Sequence, residues 1–158
     1  MTQVDAAPTM VLLIDDQLGD LAWLADRIEQ AGLRFRFATN EEDARERLYA
    51  VASGDERYLF AVVDVMMAVT DILRVHSLDD DFFEESRDSG IRLCRYAREE
   101  LKITPENLPI AVYTARPDNE VRKQIAAIEG VQFFPRDGSE GEGSLSEFVE
   151  RQLARIGK

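Results

Sequence analysis

Short strand-like runs alternate with stretches of helical periodicity along the whole chain, and this alternation limits the fold more than any other feature. Met10 to Ile14 (MVLLI) is continuously apolar, the pattern of a strand buried on both faces. Leu18, Leu21, Ala22, Ala25 and Ile28 then recur at helical spacing, and Gly32 stops that helix. Arg34 to Ala38 reads as a second strand, and Asn40 with Asp43 offers an N-cap for a helix running towards Ala52. Leu59 to Val63 (LFAVV) is a third, buried strand. Gly90 to Leu101 reads as a helix, Ile110 to Tyr113 as a strand, and Pro117 to Ile128 as a helix with Val121, Ile125 and Ile128 in register. Val131 to Phe134 closes the strand set. The last helix opens at Ser144 with a capping box completed by Glu147, and places Leu145, Phe148, Val149, Leu153 and Ile156 inward. Five strands alternating with five helices predict an α/β fold, a parallel sheet covered on both faces by right-handed crossovers. In such sheets function gathers at the carboxyl ends of the strands.

A chain of 158 residues suits one compact domain, and 45% apolar with 32% charged residues fits a soluble globular protein. No apolar run approaches the roughly 20 residues that cross a bilayer. Met1 to Thr9 lacks the basic start and apolar core of a secretory signal and reads as a short leader before a domain over residues 10–158. The single cysteine, Cys94, excludes an internal disulfide and falls on the inward face of its helix, where an inert thiol is expected. A cytoplasmic location follows as the default. The net charge of −12 works against binding nucleic acid phosphates or anionic membranes, and favours protein or cation partners.

The chemistry lies at the strand ends. Asp15 and Asp16 follow the first strand and Asp64 follows the third, which this topology makes neighbours. Clustered carboxylates repel one another unless a cation compensates the crowding, and a hard divalent ion such as Mg²⁺ is their natural partner. Strand four ends in Tyr113-Thr114-Ala115, adding a hydroxyl donor, and strand five ends in Phe133-Phe134-Pro135-Arg136, adding a cation. A carboxylate nucleophile, a divalent metal, a hydroxyl and a cation are the parts needed to form and hold an acyl phosphate.

With these residues in order, the chain resembles the receiver domains of two-component response regulators, through VLLIDD, AVVDVMM, VYTA and FFPR. The resemblance spans nearly the whole sequence and implies a doubly wound, flavodoxin-like sheet in strand order 2-1-3-4-5. It further implies that Asp64 is the phosphoacceptor. Asp16 and Asp64 would bind Mg²⁺ directly together with the backbone carbonyl of Met66, and Asp15 would act through water. Thr114 would contact the phosphoryl group, and Phe133 would be the aromatic that reorients on activation. The implied partners are a histidine kinase or phosphotransfer protein and an unknown output protein, with a homodimer also admitted. With no appended domain expected beyond Lys158, output is expected in trans, from a regulatory domain and not an enzyme.

Two departures stand out. Arg136 replaces the family's usual lysine and is followed by Asp137 where proline is usual; arginine is longer and planar, so the exchange is not conservative. Arg136 is also open to a surface ion pair with Asp137 or Glu140. The second departure is the surplus of chain from Ala68 to Ser89, an insertion directly after the third strand. It carries the only histidine, His76, and the acidic run Asp79 to Glu85, which fits either a short helix over the sheet edge or a lid. Both departures support an alternative, a pseudo-receiver that binds protein without phosphorylation. A haloacid-dehalogenase-like phosphotransferase expects a second Asp two positions after the first, where this chain has Gln17.

Overall fold

The apolar runs do assemble into one parallel sheet. The computed structural model describes residues 8–16, 18–65, 89–114, 119–135 and 144–156. Its strands are β1 (Met10–Ile14), β2 (Arg34–Ala38), β3 (Ala61–Val63), β4 (Ile110–Thr114) and β5 (Val131–Pro135), ordered β2-β1-β3-β4-β5 and all parallel. The described helices are α1 (Ala22–Gln30, entered through a 3₁₀ turn at Leu18–Leu21), α2 (Glu41–Ala52), α3 (Ser89–Arg95), α4 (Asn119–Ala126) and α5 (Leu145–Ala154).

Period-two alternation in the central strands supplies both cores. Leu12, Ile14, Val63 and Val112 face one way and pack with Leu48 of α2, Ile91 and Cys94 of α3, and Ile125 of α4. Val11, Leu13, Val62 and Ala111 face the other way, against Leu24 and Ile28 of α1 and Phe148 and Val149 of α5. Every one of these side chains is essentially removed from water. At about 1.5–3 kcal/mol for each fully buried large apolar side chain, the two layers together supply the main drive for folding. Phe148 anchors the second layer, meeting Phe60 edge-on at 5.6 Å and Phe134 at 5.8 Å.

Local signals set the helix ends. The Asn40 side chain accepts the Asp43 N–H at 2.7 Å, and the Ser144 hydroxyl accepts the Glu147 N–H at 3.2 Å. Gly32 follows α1 with φ +80°, the left-handed turn that ends a helix most cheaply at glycine. Two boundaries differ from the sequence expectation. Regular β3 begins at Ala61 and not Leu59, although Leu59 and Phe60 are buried and still bond to β1. The predicted helix over 90–101 does not finish as an α-helix: α3 is continued by a π-helical turn, Tyr96–Glu100, closed by the Leu101 N–H on the Tyr96 carbonyl at 2.9 Å. In that turn Arg98 is buried and donates to the carbonyls of Glu129 (2.8 Å) and Ile103 (3.2 Å). It thereby ties the helix to the loops that precede β4 and β5.

Candidate functional site

Hydrogen bonding of β1 with its neighbours continues one residue past the strands, and this creates the site. Ile14 is in register with both Ala38 and Val63; beyond it the Asp15 N–H donates to the Ala38 carbonyl at 3.0 Å, and the Asp64 N–H donates to the Ile14 carbonyl at 2.9 Å. Asp15 and Asp64 are therefore held by the sheet itself, and Asp16 is the next residue along. One carboxylate oxygen from each of Asp15, Asp16 and Asp64 lies within 4.8 Å of the other two. Asp15 is buried, while Asp16 and Asp64 are half-buried and reachable from solvent.

Two unit charges at that separation repel by about 3 kcal/mol at an effective dielectric near 20. The donor set fits what would relieve that repulsion. A hard divalent cation takes oxygen ligands at roughly 2.0–2.6 Å, so oxygens around one ion stand no more than about 4–5 Å apart. The cluster is thus compatible with a divalent metal.

Thr114 closes β4, two residues beyond Val112, which is aligned with Val63 of β3. It is buried at the same edge of the sheet as the carboxylates. Phe133 lies on β5 in register with Val112 and half-buried, with the Arg122 guanidinium carbon 4.8 Å from its ring centre. Tyr113 turns to the opposite face and meets Trp23 of α1 edge-on at 6.3 Å. Met66, whose carbonyl was expected on the metal, and Arg136, the expected cation, lie outside the described residues, as do His76, the run Asp79 to Glu85 and all of the insertion but Ser89.

One contact at the site is not apparent from the sequence. The first turn of α3 grips the strand end beyond Asp64: the Gly90 N–H donates to the Val65 carbonyl at 2.8 Å, and the Ser89 hydroxyl reaches the same oxygen at 3.2 Å. Val65 and Ser89 are therefore in direct contact next to Asp64. The only available signal was the Ser-Gly pair at the predicted helix start, small enough to admit so close an approach.

No protein-family model matches the sequence, and no curated protein sequence matches it. Solved structures do match. The chain is similar to a response regulator receiver protein from Pseudomonas putida, at 21% identity and a TM-score of 0.63, over 96% of this chain and 98% of that one. A two-component response regulator from Clostridium difficile matches at 17% identity and a TM-score of 0.63, over 95% and 99% of the two chains. A response regulator protein from Burkholderia pseudomallei, solved with a phosphorylated aspartic acid, a calcium ion and citrate, matches at 18% identity and a TM-score of 0.60, over 94% and 71%. Likeness at these identities establishes the fold.

Proposed function

We propose that this chain, which has the fold of response regulator receivers, is a phosphoacceptor signalling module that takes a phosphoryl group on Asp64. The carrying observation is the convergence of Asp15, Asp16 and Asp64 at the carboxyl ends of β1 and β3, the edge where open parallel sheets place their ligands. Residues 10–158 form the receiver domain in this reading, with 68–89 as an insertion and 1–9 as a leader.

A carboxylate oxygen of Asp64 attacks the phosphorus of a phosphohistidine or a small acyl phosphate. The bond from phosphorus to the donor breaks, and the electron pair leaves with the imidazole or carboxylate. Asp16, Asp64 and the Met66 carbonyl would hold Mg²⁺, with Asp15 acting through water, and the bound ion would supply positive charge to offset that of the phosphoryl oxygens. The Thr114 hydroxyl donates to a phosphoryl oxygen and Arg136 supplies a second positive charge, while Phe133 reorients as the phosphoryl group settles. The donor is a histidine kinase or phosphotransfer protein, and the product acts on an output protein by contact, in keeping with a net charge of −12 that disfavours nucleic acid. That role belongs in the cytoplasm, and no described helix is long and apolar enough to cross a membrane.

The test is incubation with Mg²⁺ and acetyl phosphate followed by intact mass. A gain of one phosphoryl group, abolished by chelation and by Asp64→Asn, is expected. A folded chain that gains nothing instead favours the second reading, a pseudo-receiver that binds its partner without phosphorylation; the insertion that opens four residues beyond Asp64, at Ala68, and Arg136 in place of lysine, are the features on its side.

A further inference from the structure

Phe133 meets a guanidinium and also borders open space. On one side stands the Arg122 guanidinium of α4, 4.8 Å from the ring centre, within the range at which a cation is attracted to the negative face of an aromatic ring. Alongside the ring opens a hollow of about 270 Å³, bounded by Arg122, Ile125, Ala126, Val131, Gln132 and Phe133. The hollow leaves open space beside the ring, while Val121 and Ile125 hold α4 on the sheet from their buried positions. The same strand leads directly to the site: Phe133 is aligned with Val112, and Pro135, two residues on, is aligned with Thr114.

We infer that Arg122 is a positioning residue that sets the resting orientation of Phe133, and so sets how readily a phosphoryl group at Asp64 shifts the edge formed by α4 and β5. The inference rests on the phosphoacceptor reading for its second half only. The guanidinium favours the ring orientation whose face it meets, and an orientation that turns that face away forfeits the attraction. A partly exposed pair of this kind biases two orientations by a factor of about two to five. This is enough to tune a switch without locking it.

The experiment uses the full chain with fluorinated phenylalanine at all eight Phe positions, the Phe133 signal being assigned by its loss in Phe133→Leu. In Arg122→Met, which keeps much of the stem and removes the charge, the Phe133 fluorine signal moves while the other signals stay; Arg122→Lys returns it part of the way. Titration with Mg²⁺ and beryllofluoride, a phosphoryl mimic, then shifts the Phe133 signal of Arg122→Met at a mimic concentration about two- to fivefold lower than in the unaltered chain. A Phe133 signal indifferent to both substitutions overturns the positioning role. A signal that moves in Arg122→Met with an unchanged beryllofluoride titration overturns the coupling to Asp64. If the unaltered chain ignores beryllofluoride and acetyl phosphate alike, the phosphoacceptor reading fails and takes the coupling with it, while the fluorine shifts without mimic still decide whether Arg122 holds the ring.

Discussion

Gly90 stands so close to Asp64 that a Cβ built on it would lie 2.1 Å from the Asp64 carbonyl oxygen and 2.7 Å from the Val65 Cα. Both obstacles are backbone, so neither can swing aside. Gly90→Ala must push α3 away from the strand end, breaking the 2.8 Å bond from its own N–H to the Val65 carbonyl. We expect a loss of about 2–3 kcal/mol, read as a lower urea midpoint at unchanged slope. Phosphoryl uptake should fall as well, because the peptide that moves is that of Asp64. Unaltered stability in this variant would show that the contact is not as tight as described.

The carboxylate cluster makes stability depend on divalent ions. An ion that binds only the folded chain adds RT ln(1 + [L]/Kd), about 2.7 kcal/mol at a hundredfold excess over Kd. Mg²⁺ should therefore raise the melting temperature well beyond Na⁺ at matched ionic strength, which only screens the net charge of −12. Asp16→Asn should remove most of that increment. Equal effects of the two salts, or an undiminished increment in Asp16→Asn, would argue against a metal at this cluster.

Arg98 is a buried cation that donates to two main-chain carbonyls, at 2.8 and 3.2 Å, and desolvation lowers the pKa of its guanidinium. Hydrogen bonds from a charged donor contribute about 1.5–3 kcal/mol each, partly offset by the cost of burying the charge. Arg98→Met, which fills similar space, should cost about 2 kcal/mol in a denaturant titration. A neutral or stabilising result would mean that the desolvation cost equals or exceeds what the two bonds return.

Burial pushes the Cys94 thiol up to about 12, against an ordinary value near 9. Below the unfolded thiol's pKa both states keep the proton and stability is unaffected. Above it only the unfolded chain ionises, so stability should fall by up to about 1.4 kcal/mol per pH unit until the folded thiol itself titrates. Cys94→Ala should flatten part of that alkaline decline, the remainder coming from buried Tyr58, whose phenol burial and Glu56 also raise. A thiol reagent at pH 8 should leave native Cys94 unlabelled and modify it fully in urea; rapid labelling of the native chain would refute its burial.

How much of this was legible in the sequence depends on whether the physics is local. The strands, the caps at Asn40 and Ser144, the stop at Gly32 and the inward face of α5 follow from periodicity and side-chain chemistry within a few residues, and the structure reproduces them. Asp15, Asp16 and Asp64 were legible together because strand order makes β1 and β3 neighbours. The π turn was not, because Arg98 answers to carbonyls at Ile103 and Glu129, and a backbone oxygen leaves no mark on the sequence. For the same reason Gly90 read only as a helix start: the Cβ it cannot carry would clash with a strand end some 25 residues upstream, as the 24-residue separation between Ser89 and its partner Val65 illustrates. Phe133 was legible as the switch aromatic through the family resemblance, but nothing in the sequence joins it to Arg122, and only the packing of α4 on β5 reveals them as a pair.

The most direct measurement traps the acyl phosphate chemically. The chain is incubated with Mg²⁺ and acetyl phosphate, reduced with borohydride, which converts an aspartyl phosphate to homoserine, and sequenced by mass spectrometry of its peptides. Homoserine is expected at position 64 alone, and none when the metal is chelated. Homoserine at another aspartate, or none in a folded, metal-loaded chain, would contradict the assignment of Asp64 as phosphoacceptor.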